Sequence, residues 1–225
     1  MSENLHSFLQ LLFFSIITLF PVVNPIGTAF IISPYFSKLT DTEKRAAVKK
    51  ITFYAFCICT GSLFIGHWIL EVFGLSIPVI QLAGGIMICK LGWDSLTTDK
   101  KPAPTVPGPE ENIALPGGYQ EIKDNLFYPI TFPVTTGAGT ISVLFTLSAH
   151  SANAGWKKYL VNTSAVLLAI IAICLLIYFF YFNTKRIINY LGSDGEKIVN
   201  RISSFLIFCV GLQIAVSGLK SIFTT

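Results

Sequence analysis

The sequence predicts an all-α polytopic membrane protein: six transmembrane helices arranged as two inverted three-helix repeats, with the first and fourth helices broken. Three observations predict it. Apolar residues make up 52% of the 225-residue chain and charged residues 12%, and the mean hydropathy of +0.65 is far from that of a soluble domain. Nearly charge-free runs occur at about Leu9 to Tyr35, Ile51 to Phe73, Ile77 to Leu96, Leu126 to Ser148, Tyr159 to Phe182 and Ile202 to Ile222, each close to the ~20 residues that a spanning helix needs. Finally, Phe20-Pro-Val-Val-Asn-Pro-Ile-Gly-Thr28 returns 112 positions later as Phe132-Pro-Val-Thr-Thr-Gly-Ala-Gly-Thr140, matching in Phe, Pro, Val, Gly and Thr.

The N-terminal Met1-Ser-Glu-Asn-Leu-His has no basic region, and the apolar run behind it is too long for a signal-peptide core, so it is expected to remain as the first span. Leu9 to Leu19 reads as regular helix, Pro21 and Pro25 interrupt it, and Thr28 to Ser33 restarts it, because proline and glycine are the residues worst suited to an unbroken helix. The following loop carries Lys38, Lys44, Arg45, Lys49 and Lys50, whereas the loop after the second run has no Lys or Arg. The positive-inside rule therefore makes the first loop cytoplasmic. Lys100, Lys101, Lys123, Lys185, Arg186, Lys197 and Arg201 then fall inside and Lys157 and Lys158 outside, which puts both termini on the outer side. The net charge of +4 follows from this topology and from anionic lipid, with no nucleic-acid partner required.

The third run contains Gly84-Gly85, Gly92 and Asp94, echoed 119 positions later in the sixth by Ser203-Ser204, Gly211 and Gln213. Small residues seven or eight apart lie on one helix face and let membrane helices pack closely. Between the third and fourth runs, Pro102, Pro104, Pro107, Pro109 and Pro116 with Gly117-Gly118 mark a mobile cytoplasmic connector. The organisation is thus residues 1–96 as the first repeat, 97–125 as the connector and 126–225 as the second repeat. Three is odd, so the second repeat crosses in the opposite sense to the first.

A break at mid-membrane exposes backbone groups that lipid cannot satisfy, and is tolerated where it is buried in protein or lines a cavity. Half-helix ends offer carbonyls on one side and N–H groups on the other, which suit an ammonium or small cation and a carboxylate respectively. The candidate binding residues are Asn24, Pro25, Gly27 and Thr28 in the first break, and Thr135, Thr136, Gly137, Gly139 and Thr140 in the second, which also carries Pro129 and Pro133. They are small or neutral hydrogen-bonding groups, fitted to a small zwitterion such as a neutral amino acid. The competing reading is a pair of proline kinks whose carbonyls are satisfied by Thr28, Thr136 and Thr140 themselves.

Lys90 and Asp94 lie four apart near the end of the third run, either a surface pair or, with Gln213, a gate or relay. His67 and Glu71 read as interfacial, and His150 as an outer-loop residue without a companion ligand. Cys57, Cys59, Cys89, Cys174 and Cys209 read as reduced, buried, small apolar residues with no metal spacing.

Asn24-Pro25-Ile-Gly27-Thr28, Pro133-x-x-x-Gly137-x-Gly139-Thr140 and Ala83-Gly84-Gly85 resemble the MarC family of integral membrane proteins across nearly the whole chain. Ala138 stands where that family's second motif often has proline, and the connector is long for the family. The resemblance implies likeness to the LysE superfamily of small-solute exporters, a bacterial inner membrane location and transport of neutral amino acids. Alternating access of the two repeats is the leading expectation. No P-loop occurs, no cofactor is expected, and an oligomer is left open. The other classes considered are a thiol–disulfide carrier, which needs cysteines beside the prolines; a divalent-cation or other ion transporter, which needs intramembrane acids; a membrane enzyme, which needs a paired catalytic set; and a noncatalytic membrane protein.

Overall fold

The computed structural model describes residues 2–36, 39–97, 122–152 and 155–223. The proline-rich part of the expected connector lies outside these, as do the side chains of His67 and His150. In chain order the elements are α1 (Ser2–Val23), α2 (Pro25–Phe36), α3 (Asp41–Val72), α4 (Ile77–Thr97), the irregular α5 (Leu126–Thr135), α6 (Ala138–Ala152), α7 (Gly155–Phe182) and α8 (Thr184–Phe223).

Each boundary has a local cause. The α3 helix starts ten residues before the expected apolar run because Thr40 and Glu43 form a capping box: Glu43 Oε2 accepts from the Thr40 N–H at 2.9 Å while Thr40 Oγ1 accepts from the Glu43 N–H at 3.4 Å. The α8 helix turns sharply at Gly192, where φ is 66° and ψ −173°, a conformation open to glycine. Its apolar stretch runs from Lys197 to Phe223.

By length and composition, four helical stretches of the described residues can cross a bilayer: His6–Phe36, Asp41–Gly66, Lys158–Phe182 and Lys197–Phe223. Leu126–Thr135 and Ala138–Ser148 make a fifth as a pair bent by 64°. The expected third span, α4, is helical throughout but falls outside this set, since Gln81, Lys90 and Asp94 interrupt its apolar run. Large apolar side chains turn outward, among them Ile17, Phe53, Trp68, Leu175 and Phe179, a surface suited to lipid. The core inside comprises Leu19, Ile32, Ile51, Ile88, Leu144, Ile170 and Ile177. Of the five free cysteines only Cys59 and Cys174 are buried; Cys57 and Cys209 sit on the outward face and Cys89 is half-buried, so the expectation of five buried thiols is corrected.

The packing is paired. α1 lies on α7 as α5 and α6 lie on α3, α8 lies on α1 and α2 as α4 lies on α6, and α3 meets α7. The most extensive contact joins α4 to α8. These two run antiparallel and touch backbone to backbone: a Cβ at Gly92 would lie 2.5 Å from the Phe208 nitrogen, and a Cβ at Gly211 would lie 2.5 Å from the Cys89 nitrogen. Gly85 against Ala215 and Gly218 against Leu82 extend the seam. Only small residues permit this approach. Cys89 Sγ donates to the Phe208 carbonyl at 3.5 Å, and these two residues are themselves 119 apart.

Candidate functional site

The two breaks differ in depth. α1 continues through Pro21, and the interruption is the single residue Asn24, at φ 47°. Asn is one of the few side chains at home in that left-handed region. Helical bonding carries across it: the Asn24 N–H donates to Phe20 O and the Thr28 N–H to Asn24 O, each at 2.9 Å. Asn24 Oδ1 caps the Gly27 N–H at 3.0 Å, and Thr28 Oγ1 donates to Asn24 O at 2.9 Å. The expected restart at Thr28 is therefore moved to Pro25, a residue suited to a first helical position, and the two half-helices stay hydrogen-bonded through the kink.

The second break is deep. Tyr128 and Phe132 are extended inside α5, each preceding a proline, as the residue before proline prefers. The remaining turns widen, so that the Ile130 N–H reaches Asn125 O at 3.2 Å and the Thr136 N–H reaches Thr131 O at 2.8 Å. Three threonine hydroxyls donate to carbonyls five residues back: Thr131 to Leu126 O at 2.6 Å, Thr135 to Ile130 O at 2.7 Å and Thr136 to Thr131 O at 3.1 Å. This is how membrane helices re-satisfy backbone broken by proline. Gly137 follows because a Cβ there would lie 2.9 Å from Pro133 O, and Ala138 opens α6.

The breaks meet. Gly139 faces Val22 of α1 and Leu91 of α4, with room for a Cβ only at 3.2–3.3 Å from their side chains. Tyr181 of α7, at 0% exposure, hydrogen-bonds Thr135 at 2.8 Å and lies beside Thr28. One hydroxyl thus sits between the two breaks. Asn24, Pro25, Gly27, Thr28, Thr135, Thr136, Gly137, Gly139 and Thr140 all fall in this joined region, whereas Lys90 and Asp94 are exposed on α4. Tyr181 is the residue that sequence reasoning missed. Its signal is the stripe Ile170, Ile173, Cys174, Ile177, Tyr181, buried at helical spacing.

About two turns beyond both breaks, a chamber of about 150 Å³ opens between α1, α4, α6 and α8. Thr18, Gln81, Thr146, Gln213 and Ser217 give it hydroxyls and carboxamides, and Phe14, Val143, Leu147 and Ile214 give it apolar walls. None of these is charged. Gln213 was expected near a gate; the other four polar groups stand out in sequence only as isolated polar residues within apolar runs. Among the described residues no cluster of His, Cys, Asp or Glu has the geometry to hold a metal.

The family model described as MarC family integral membrane protein matches residues 9–223. The chain belongs to the MarC family. Similar relatives include the inner membrane protein MarC of Salmonella arizonae, 24% identical over 93% of this chain and 94% of that one, and the membrane protein YvbG of Bacillus subtilis, 27% identical over 92% and 93%. No solved structure matches. As a MarC family protein it is an integral membrane protein, and the shared length takes in both breaks and the chamber.

Proposed function

We propose that this MarC family protein is a secondary transporter of small neutral polar solutes, neutral amino acids foremost, working by alternating access in the bacterial inner membrane with both termini outside. The observation that carries the reading is the uncharged chamber of about 150 Å³ set against two helix breaks that meet. Pockets of this kind recognise a solute with a few placed polar groups and exclude the rest by apolar wall. Five neutral hydrogen-bonding side chains and no acid favour a net-neutral cargo over a metal cation.

The paired packing supports six spans in two inverted halves, residues 1–96 and 126–225, with α4 as the third span and α8 as the sixth. The spacing of 119 equates Cys89 with Phe208 and Gly92 with Gly211, and the contacts Gly92–Phe208 and Gly211–Cys89 exchange under that equivalence. Contacts that map onto themselves when the repeats are swapped are what a two-fold axis in the membrane plane produces. α4 tolerates its polar residues as a span because its glycine face is sealed against α8.

The test is counterflow in proteoliposomes loaded with alanine, glycine or serine, with and without a sodium gradient. Wild type is expected to exchange at least one of them. Asn24→Ala, Gly139→Leu and Gln213→Leu are each expected to abolish exchange in protein that still elutes as a folded species. Failure of every small amino acid, or normal flux in all three variants, would sink the assignment.

A further inference from the structure

A second concavity lies on the outward face, between α3 and α7 and distinct from the chamber. It is an open groove of about 310 Å³ lined by Lys49, Thr52, Phe53, Phe56, Ile171, Cys174, Leu175 and Tyr178. The contact of Arg45 with Phe182 sets an antiparallel register of α3 on α7, which puts Lys49 and Tyr178 toward one end of the groove and Phe56 and Ile171 toward the other, a length of about 10 Å at 1.5 Å per residue. Its walls are strongly outward, Phe53 at 62% exposure and Leu175 at 64%.

One end is cationic and the other apolar. Arg45, one turn above Lys49, lies 5.4 Å over the Phe182 ring, and Phe182 stacks on Tyr178 at 6.1 Å and 2°, so an aromatic ladder carries the basic end into the apolar one. None of the lining residues is acidic. Such a gradient matches one molecule of the surroundings: a phosphate at the interface with a hydrocarbon chain below it. We infer that the α3–α7 groove is a binding site for an anionic diacyl phospholipid, its phosphate held by Lys49 and Arg45 and one acyl chain laid along Phe53, Phe56, Ile171 and Leu175. A zwitterionic lipid fits the walls but gains less at the basic end. The site rests on neither the cargo nor the transport reading.

The full chain is purified in detergent and exposed to equimolar phosphatidylglycerol and phosphatidylcholine of identical acyl composition, and the retained lipid is counted by native mass spectrometry. Phosphatidylglycerol is expected to be retained about fivefold over phosphatidylcholine for each engaged basic residue. Lys49→Gln is expected to cut that preference severalfold, Lys49→Arg to keep it, and Ile171→Trp, which fills the groove, to lower both lipids together. Excess glycerol 3-phosphate is expected to leave the preference unchanged, since without the chain the headgroup gains little. Parity between the two lipids in wild type, an unchanged preference in Lys49→Gln, or displacement by glycerol 3-phosphate would each overturn the site.

Discussion

At the scale of single residues, the centre of the molecule is Tyr181, whose hydroxyl is hydrogen-bonded to Thr135 and lies beside Thr28. Thr28 donates its own proton to Asn24 O and Thr135 donates its proton to Ile130 O, so in this arrangement Tyr181 is the donor to Thr135. Removing Tyr181's hydroxyl leaves both threonines on their own carbonyls, so Tyr181→Phe is expected to cost only about 1 kcal/mol while uncoupling the breaks. Double-mutant cycles with Thr28→Val and Thr135→Val, read by unfolding in detergent, should each show a coupling of roughly 0.5 kcal/mol or more, and zero coupling in both would dismiss Tyr181 as a link between the breaks. The prolines, glycines and threonines of the breaks were legible in the sequence because they are locally wrong for a helix. Tyr181 was not, because the run Tyr178-Phe-Phe-Tyr-Phe182 reads as lipid-facing aromatics, and only packing selects the one ring that turns inward.

At the scale of elements, what decided between expectation and structure was how neighbouring groups complete a helix. Pro21 was expected to end the first half-helix, yet α1 runs on to Val23 because a proline costs one bond and neighbours absorb it. The start of α3 was written in Thr40-Asp-Thr-Glu43 but lies outside the apolar run, since a cap extends a helix beyond its apolar stretch. The small-residue echo between the third and sixth runs was read as a packing face, and the α4–α8 seam realises it through Gly85, Gly92, Gly211 and Gly218. Any Cβ there meets backbone that cannot yield, so Gly92→Ala and Gly211→Ala are each expected to destabilise by about 1–3 kcal/mol. Gly61, with open space around its missing Cβ, is the control, and its alanine variant should be neutral or stabilising by about 0.5–1 kcal/mol. Because Gly92 and Gly211 flank one contact, their double variant should fall short of additivity: the first substitution already parts the helices. Additive losses in thermal unfolding would show instead that the two positions pack independently.

At the scale of the whole molecule, the proposed inverted repeat makes the two halves alike in plan and unlike in state. The repeat spacing of 112 equates Phe14 and Thr18, which line the chamber, with Leu126 and Ile130, which are each 1% exposed. It equates Val143 and Leu147 of the chamber with Ile31 and Tyr35, and the spacing of 119 equates Gln213 with Asp94. The chamber positions of α1 are thus open while their counterparts Leu126 and Ile130 are buried. If the halves can exchange roles, the inner counterpart opens as the outer chamber fills, with Asp94 standing where Gln213 stood, and the cargo passes the hydroxyls of Thr28, Tyr181 and Thr135. Motions of this kind redistribute two populations, so any cargo that drives them must bind the states unequally. The consequence is measurable in a variant whose five native cysteines are replaced by serine. Single cysteines at Thr18 and Ile130 are labelled with an impermeant maleimide from either side of oriented vesicles. A transported solute that favours the inward state should slow outer labelling of Thr18→Cys and speed inner labelling of Ile130→Cys; an inhibitor that favours the outward state should do the reverse. Rates that rise together at both positions would describe a continuous pore, and rates that respond at neither would leave the chamber a static cavity; either result rules out exchange between the halves.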